Sequence, residues 1–240
     1  MLDFMMVATR TNRAGGIEVF PKFVVKRSTD LMIRGSDFYA IWIQDAGLWS
    51  TDEFDALRLI DREVEEYFNK MPPDLQSRAK AFYMWDAENG MIDRWHAYCQ
   101  RQCRDNYHAL DESLTFSNEE VKKSDYISKR LSYPLEQGKY DAWDKLIGTL
   151  YIPEERHKIE WAIGSIVTGD SKKIQKFLVL YGPPGSGKST LLNIVQELFE
   201  GYYSVFDAKA LASASNQFAL ESFKSNPLVA IQHDLSLIHI

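Results

Sequence analysis

The sequence is short of the features that mark membrane-spanning, secreted and strongly basic proteins. Its 240 residues include only two cysteines, and 28 lysines and arginines are outnumbered by 34 aspartates and glutamates, for a net charge of −6. No apolar run approaches the roughly 20 residues of a membrane span, and the amino terminus lacks the pattern of a signal peptide. We therefore expect a cytoplasmic protein without membrane contact. The charge argues against a surface coated with phosphate-binding residues, although a few such contacts concentrated in one place remain compatible with it.

The two cysteines raise the question of a metal site. On a helix, His96, Cys99 and Cys103 share one face, which is an arrangement that could suit zinc. Structural zinc usually takes four ligands from two separated pairs, however, and the sequence has no second C-x-x-C pair. We therefore interpret both cysteines as free thiols on a partly buried helix face.

Patterning along the first hundred residues predicts an α+β unit. β-Branched and aromatic residues favour strands, and alternating turn signals divide them. Apolar residues at helical spacing follow, ending before two prolines. The predicted strands are two or three within 17–43, including a hairpin arm from 38–43 and 47–49 with its tryptophans in the core. A capping box is predicted at 50–53, followed by a helix that ends before Met71. A further helical stretch is predicted from about Asp74 past Cys103, with an interruption near Asn89.

The next sixty residues carry mainly helical signals. A small hairpin or connector is predicted near 114–118, and an amphipathic helix over 140–150. Pro153 suits the first position of another helix, because its missing N–H has no partner there in any case. Gly169 is a natural end for that helix.

One continuous stretch carries recognisable chemistry. Residues 182–190 read GPPGSGKST and fit the phosphate-binding loop (P-loop) pattern G-x-x-x-x-G-K-[ST] at every required position. Residues 176–181 before it predict a short buried strand, and an apolar stripe over 191–198 predicts a helix. Glycines let a backbone turn curl around phosphate oxygens, and the helix that follows adds its partial positive charge. The predicted nucleotide-binding residues are Gly182, Pro183, Pro184, Gly185, Ser186, Gly187, Lys188, Ser189 and Thr190.

This loop predicts ATP and Mg²⁺ as cofactors. Lys188 is expected to reach the β- and γ-phosphates as a catalytic residue, and the Ser189 hydroxyl to bind Mg²⁺. An apolar strand over 228–233 ends at Asp234, where P-loop enzymes place a second acid that holds Mg²⁺ through water and positions the attacking water. Asp234 is thus a candidate metal and catalytic residue; the alternative is an ordinary loop aspartate after a core strand.

The predicted fold class combines α+β and α/β parts. Residues 1–110 form the α+β unit of unknown role, residues 111–170 a helical leader, and residues 171–240 an incomplete P-loop core with a partial parallel sheet of the additional-strand ATPase kind. Only about fifty residues follow Thr190, so we expect an incomplete motor. Residues 235–240 continue no recognisable motif, and we expect the authentic chain to continue differently after Asp234.

From about Leu114 onward the chain resembles the helicase part of phage and plasmid primase-helicases, in superfamily 3 with the poxvirus-type primase-helicase. The resemblance rests on YISKRLSYP at 126–134, YDAW at 140–143, EER at 154–156, EWAIGSIVTGD at 160–170 and KFLVLYG at 176–182 leading into the loop. It covers about half of the chain well and the first hundred residues weakly.

The resemblance implies a replicative DNA helicase that acts in the cytoplasm, of a phage-infected host cell if it is viral. Members form hexameric rings, bind ATP between subunits and draw single-stranded DNA through a central pore. A homo-hexamer, single-stranded DNA, and primase and replisome proteins are thus the implied partners. Lys188 matches the first motif and Asp234 the acid of the second, whereas the pore-loop lysine, sensor asparagine and trans-acting arginine have no counterpart. We expect the 240 residues alone to show weak or absent ATPase activity and no unwinding.

Two other functions remain open. The loop could hold a nucleotide to fix an oligomer or to load another protein, without strand separation. A P-loop nucleotide kinase is the other alternative, because GPPGSGK also suits that class. Such kinases place the loop near the amino terminus and need a lid and an acceptor site after it, for which this chain offers little room.

Overall fold

The computed structural model describes residues 2–24, 27–34, 37–86, 89–101, 107–208, 220–224 and 226–233, with the backbone alone at 171 and 172. The chain is mixed α/β, with small sheets and helices. It divides into two compact units: unit 1 comprises Met1–Leu110 and Glu120–Ser128, and unit 2 comprises Asp111–Glu119 and Lys129–Ile240. None of the described helices is long and apolar enough to cross a membrane.

The described residues of unit 1 form two three-stranded sheets, three α-helices and a 3₁₀ turn at Lys123–Asp125. One sheet has the order β1-β2-β6, with β1 and β2 antiparallel and β2 and β6 parallel; the other is the antiparallel meander β3-β4-β5. The antiparallel pairing of 41–43 with 48–50 confirms the predicted hairpin arm. The elements are β1 Met5–Thr11, β2 Ile17–Phe23, β3 Leu31–Arg34, β4 Asp37–Ile43, β5 Leu48–Ser50, α1 Glu53–Asn69, α2 Pro73–Gln76, β6 Ala79–Ala81 and α3 Met91–Arg101.

Several aromatic side chains pack together in the core of unit 1. Phe4 and Trp95 are fully buried with their ring centroids 5.8 Å apart, and the Trp95 indole N–H donates to Glu53 Oε1 at 2.6 Å. That hydrogen bond satisfies the polar atom of a buried tryptophan, which removes the cost of leaving it unpaired. Trp42 and Trp49 of the hairpin arm are also buried, which confirms their predicted core role.

Two local predictions in unit 1 are wrong because longer-range structure overrides them. Ser50 does not begin a capping box: it is the last residue of β5, and α1 takes Asp52 as its N-cap, whose carboxylate accepts from the Phe54 N–H at 2.9 Å. The first part of the helical stretch predicted from Asp74 ends at Gln76, because Ala79–Ala81 pairs with β2 as a strand. Its second part, after Asn89, is confirmed by α3. Hydrogen bonding to a distant strand outweighs a weak local helix preference.

Cys99 is a buried thiol on α3. Burial, with the nearby carboxylates of Glu53 and Asp37, raises its pKa to about 12, so the thiolate that zinc requires is scarce at neutral pH. Cys103 lies outside the described residues. Among the residues that are described, no group of three or more His, Cys, Asp or Glu side chains is arranged to hold a metal ion.

The described part of unit 2 contains four α-helices and two short pairs of parallel strands. β7 pairs with β8, and β9 pairs with β10. The helices predicted over 140–150, after Pro153 and over 191–198 are confirmed. The elements are β7 Thr115–Phe116, β8 Arg130–Leu131, α4 Asp141–Leu150, α5 Pro153–Val167, α6 Ser171–Ile174, α7 Lys188–Leu198, β9 Tyr203–Val205 and β10 Val229–Ile231, with a 3₁₀ turn at Glu221–Phe223.

Helices α4 and α5 form a hairpin that is joined by polar side chains on one side. Glu160 accepts from the Trp143 indole N–H and from the Arg156 guanidinium, both at 2.7 Å, and Arg156 also donates to Asp144. The hydrogen bonds from Trp143 and Arg156 lower the pKa of Glu160. On the apolar side, buried Ile147 packs with residues of α5 and α7, so the hairpin also supports α7.

The segment before the loop departs from its predicted state. Residues 175–183 form no helix or strand, and within the described chain β9 and β10 pair only with each other. The predicted buried strand at 176–181 is therefore wrong for this structure. Phe177 and Tyr181 are 89% and 99% exposed, and only Leu180 packs against the helices. Strand-like side chains do not make a strand unless a neighbouring strand supplies the hydrogen bonds.

Candidate phosphate-binding site

The loop at 182–187 leads directly into α7, and its backbone depends on glycine. Gly185 and Gly187 have φ angles of 79° and 81°, in the left-handed region that residues with a Cβ rarely adopt. Gly187 is the N-cap of α7. Because glycine has no side chain, it cannot accept a capping hydrogen bond from the N–H groups of the first turn. The turn therefore ends in backbone donors that face outward from the helix N-terminus.

Helix α7 differs from the other long helices in its first turn. The helices of ten or more described residues, α1, α3, α4 and α5, each begin with at least one acidic side chain, which complements the positive end of the helix dipole. The first turn of α7 has none and contains Lys188 instead. An anion from outside the chain is thus the natural complement of this helix N-terminus.

Lys188 is folded back onto the loop. Its ammonium group donates to the carbonyl oxygens of Gly182 and Pro183, both at 2.8 Å, and to the Ser186 hydroxyl at 3.2 Å. These three contacts place a positive charge within the turn itself. Neutral carbonyls are weaker acceptors than phosphate oxygens, so a bound phosphate would compete successfully for the ammonium.

The helical leader holds α7 at both ends. Beneath the loop, the Leu150 side chain at the end of α4 lies against Gly187, so closely that a Cβ on Gly187 would be 2.6 Å from Leu150 Cδ1. At the far end, the Tyr133 hydroxyl donates to the Leu198 carbonyl at 2.8 Å. The leader thereby fixes the position from which α7 presents its N-terminus.

Substituting Gly187 by alanine is expected to destabilise unit 2 by about 2 kcal/mol and to weaken nucleotide binding. The new Cβ would be strained at a φ of 81° and would overlap Leu150. Urea denaturation measures the first effect. Gly148→Ala on α4 is the matched control, because nothing lies within 4 Å of its added Cβ and alanine favours the helix. Equal stability of the two variants would contradict the assigned contact.

The remaining loop residues are open to solvent. Pro183, Pro184, Ser189 and Thr190 are exposed, whereas Ser186 is partly buried beneath Lys188. An exposed Ser189 hydroxyl at the first turn of α7 has the donor chemistry that Mg²⁺ prefers, although one hydroxyl alone does not make a metal site.

No family model, curated protein or solved structure matches this chain. The case for a function consequently rests on the geometry of the loop and on the residues themselves.

The predicted second acid, Asp234, lies outside the described residues. Its neighbour His233 is described and exposed, with its ring Nε2 3.2 Å from the side-chain nitrogen of Gln196. Gln196 is about 12 Å along the helix axis from Lys188, since each residue of an α-helix rises 1.5 Å. The structure thus brings the end of β10 against the middle of α7 rather than against the loop.

Two features of the site escaped the sequence patterns. Nothing in the spacing of α4 indicated that Leu150 would lie under Gly187, because the two residues are distant in the chain. The turning back of Lys188 onto its own loop also has no sequence signal. The apolar periodicity of α4 predicts that one face of the helix is buried, but it does not predict which residues pack against that face.

Proposed function

We propose that unit 2 binds Mg²⁺-ATP at residues 182–190, and that the chain is the ATP-binding part of a phage-type replicative DNA helicase. The observation that carries nucleotide binding is the N-terminus of α7, where glycine backbone, Lys188 and the absence of acidic side chains in the first turn coincide. The helicase assignment rests in addition on the resemblance of residues 126–182 to phage primase-helicases. Of the proposed P-loop sheet, the structure contains one parallel pair, β9 and β10, while the segment that leads into the loop forms no strand.

The residues of the loop suit the phosphates of a nucleoside triphosphate. Backbone N–H groups of the loop and the first turn of α7 would hold the phosphate oxygens, because this end of the helix has no internal partners for them. Lys188 would exchange its contacts with Gly182 and Pro183 for the β- and γ-phosphates. Ser189 would contribute to holding Mg²⁺, which neutralises charge on the phosphates when it is bound.

A nucleotide-dependent assembly module is the second candidate, and exposed apolar side chains favour it. Phe177 and Tyr181 before the loop are almost fully exposed, and Trp161 on α5 is 52% exposed. Large apolar side chains of this kind are usual where protein chains associate. Association of copies is also part of the helicase proposal, so the two candidates differ in whether hydrolysis is coupled to DNA.

Steady-state ATP hydrolysis with and without single-stranded DNA tests the proposal, using the full-length gene product that contains these residues. We expect single-stranded DNA to stimulate hydrolysis by about tenfold or more, because DNA in the pore completes the catalytic arrangement. Nucleotide binding with hydrolysis indifferent to DNA would favour the assembly module. Phosphate transfer to a nucleoside monophosphate would favour the kinase, and both of these results would overturn the helicase proposal.

A further inference from the structure

Unit 1 carries a stack of three aromatic rings that runs from a buried tryptophan to an exposed histidine. Trp49 is buried at the base of the stack and is held by its indole N–H, which donates to the Lys123 carbonyl at 2.9 Å. The Tyr126 ring lies on it with the centroids 5.8 Å apart and 24° between the planes. The exposed His108 ring lies on Tyr126 at 4.0 Å and 17°. The three rings are thus nearly parallel, with His108 on the outside.

A cation and two further rings adjoin this stack. Tyr107, the chain neighbour of His108, is 46% exposed and has its ring centroid 5.1 Å from that of Tyr39. The guanidinium carbon of Arg34 lies 5.4 Å from the Tyr107 centroid. Tyr39 and Tyr126 pack against the same buried cluster, and Tyr107 and His108, one from each group of rings, are neighbours in the chain. This surface is called the aromatic surface below.

The chemistry of the aromatic surface matches unpaired nucleotide bases. Bases have flat π-faces that stack on exposed rings regardless of sequence, and an adjacent arginine contacts the phosphate or stacks in turn. Duplex DNA does not offer its base faces, because they are stacked inside the helix. Stacked rings whose last member, His108, is exposed are therefore suited to a single strand rather than to a duplex.

A second exposed aromatic pair in unit 1 lacks this character. Trp85 is 75% exposed and lies over Tyr83 with 14° between the rings. Burial, with the nearby carboxylates of Glu65 and Asp61, raises the pKa of Tyr83, so its surroundings are acidic. Phosphates are repelled there, whereas Arg34 attracts them at the aromatic surface.

We propose that Arg34, Tyr107 and His108 form a binding site for single-stranded nucleic acid on unit 1. Bases stack on the Tyr107 and His108 rings, while the Arg34 guanidinium contacts the strand's phosphates. The site requires neither ATP nor the loop at 182–190, so its existence is independent of the function proposed for unit 2.

Fluorescence anisotropy of labelled oligonucleotides, measured on the whole chain without nucleotide or Mg²⁺, tests this site. The probes are oligo(dT), oligo(rU) and a duplex DNA, each of about 20 nucleotides, which exceeds the usual length bound by one such surface. We expect at least one single strand to bind about tenfold more tightly than the duplex. The tighter of the two single strands identifies whether the natural ligand is DNA or RNA.

Variants locate the binding on the protein. Replacing both Tyr107 and His108 by alanine is expected to weaken single-strand binding by about tenfold or more, since each lost stack is worth at least several-fold. His108→Phe keeps a flat ring and should bind within about threefold of the unaltered chain, as should the control Trp85→Ala. Circular dichroism checks that each variant is folded, which is expected because the replaced side chains are exposed.

Two results would overturn the proposal. In the first, the unaltered chain binds neither single strand, and the aromatic surface would then be assigned to a protein partner. In the second, the double alanine variant binds single strands as tightly as the unaltered chain does. Loss of binding in Trp85→Ala and not in the double variant would move the site to the other aromatic pair.

Discussion

Replacing Lys188 by alanine is expected to weaken ATP binding by at least about a hundredfold. Its ammonium group is the one side-chain cation in the first turn of α7, and it already lies within the turn through its contacts with Gly182 and Pro183. Hydrogen bonds between a cation and phosphate oxygens are about twice as strong as neutral ones. Losing roughly 3 kcal/mol of such contacts corresponds to a factor of about a hundred in the dissociation constant.

Titration with a fluorescent ATP analogue measures this effect, and two variants separate its causes. Lys188→Met keeps most of the side-chain stem and loses the charge, so it should bind as weakly as Lys188→Ala. Lys176→Ala removes an exposed lysine from the segment before the loop and should change affinity by less than about threefold. Affinity of Lys188→Ala within threefold of the unaltered chain would refute the phosphate-binding role.

The second large effect is expected from the buried ion pair between Lys129 and Asp111. The Lys129 ammonium lies 2.5 Å from Asp111 Oδ2, and the two side chains are only 8% and 3% exposed. The pair joins the segment before β7 to the start of β8 within unit 2. Lys129→Met is expected to lower the free energy of unfolding by about 3–5 kcal/mol, because it leaves a buried carboxylate without its cation.

Urea denaturation of unit 2 measures this loss, and the chain offers a matched control. Lys158→Met removes the same type of side chain from an exposed pair with Glu154, whose side chains are 62% and 75% exposed. Water solvates and screens that pair, so the expected loss is much smaller than that of Lys129→Met. Adding Asp111→Asn to Lys129→Met should recover part of the stability, since asparagine is neutral and tolerates the φ of 59° at this position. Equal losses in Lys129→Met and Lys158→Met would show that burial of the pair is energetically unimportant.

The helices of unit 2 were predictable because their signals are local. Pro153 begins α5 as its missing N–H allows, and the apolar spacing over 140–150 and 191–198 matches α4 and α7. The strands were less predictable, as residues 79–81 and 176–181 show. The first range became a strand against its helical pattern, and the second did not become one despite its composition. In both cases the presence or absence of a distant pairing strand decided the outcome.

The candidate site also has features that were predictable from local sequence and features that were not. Residues 182–190 are contiguous, so the pattern alone located the loop and the start of α7. The support from Leu150, and the position of His233 beside Gln196, depend on residues that are far apart in sequence. ATP, Mg²⁺, single-stranded DNA and a hexamer remain predictions.

The sequence by itself determined the features whose causes lie within a few residues of one another. These are the glycine loop before α7, the helix starts and stops of the leader, and the aromatic hairpin arm of unit 1. Only the tertiary structure decided which apolar segments pair as strands, which ion pair is buried, and which aromatic rings are stacked and exposed. Such features depend on contacts between distant residues, and their free energies arise from burial and desolvation that no local pattern specifies.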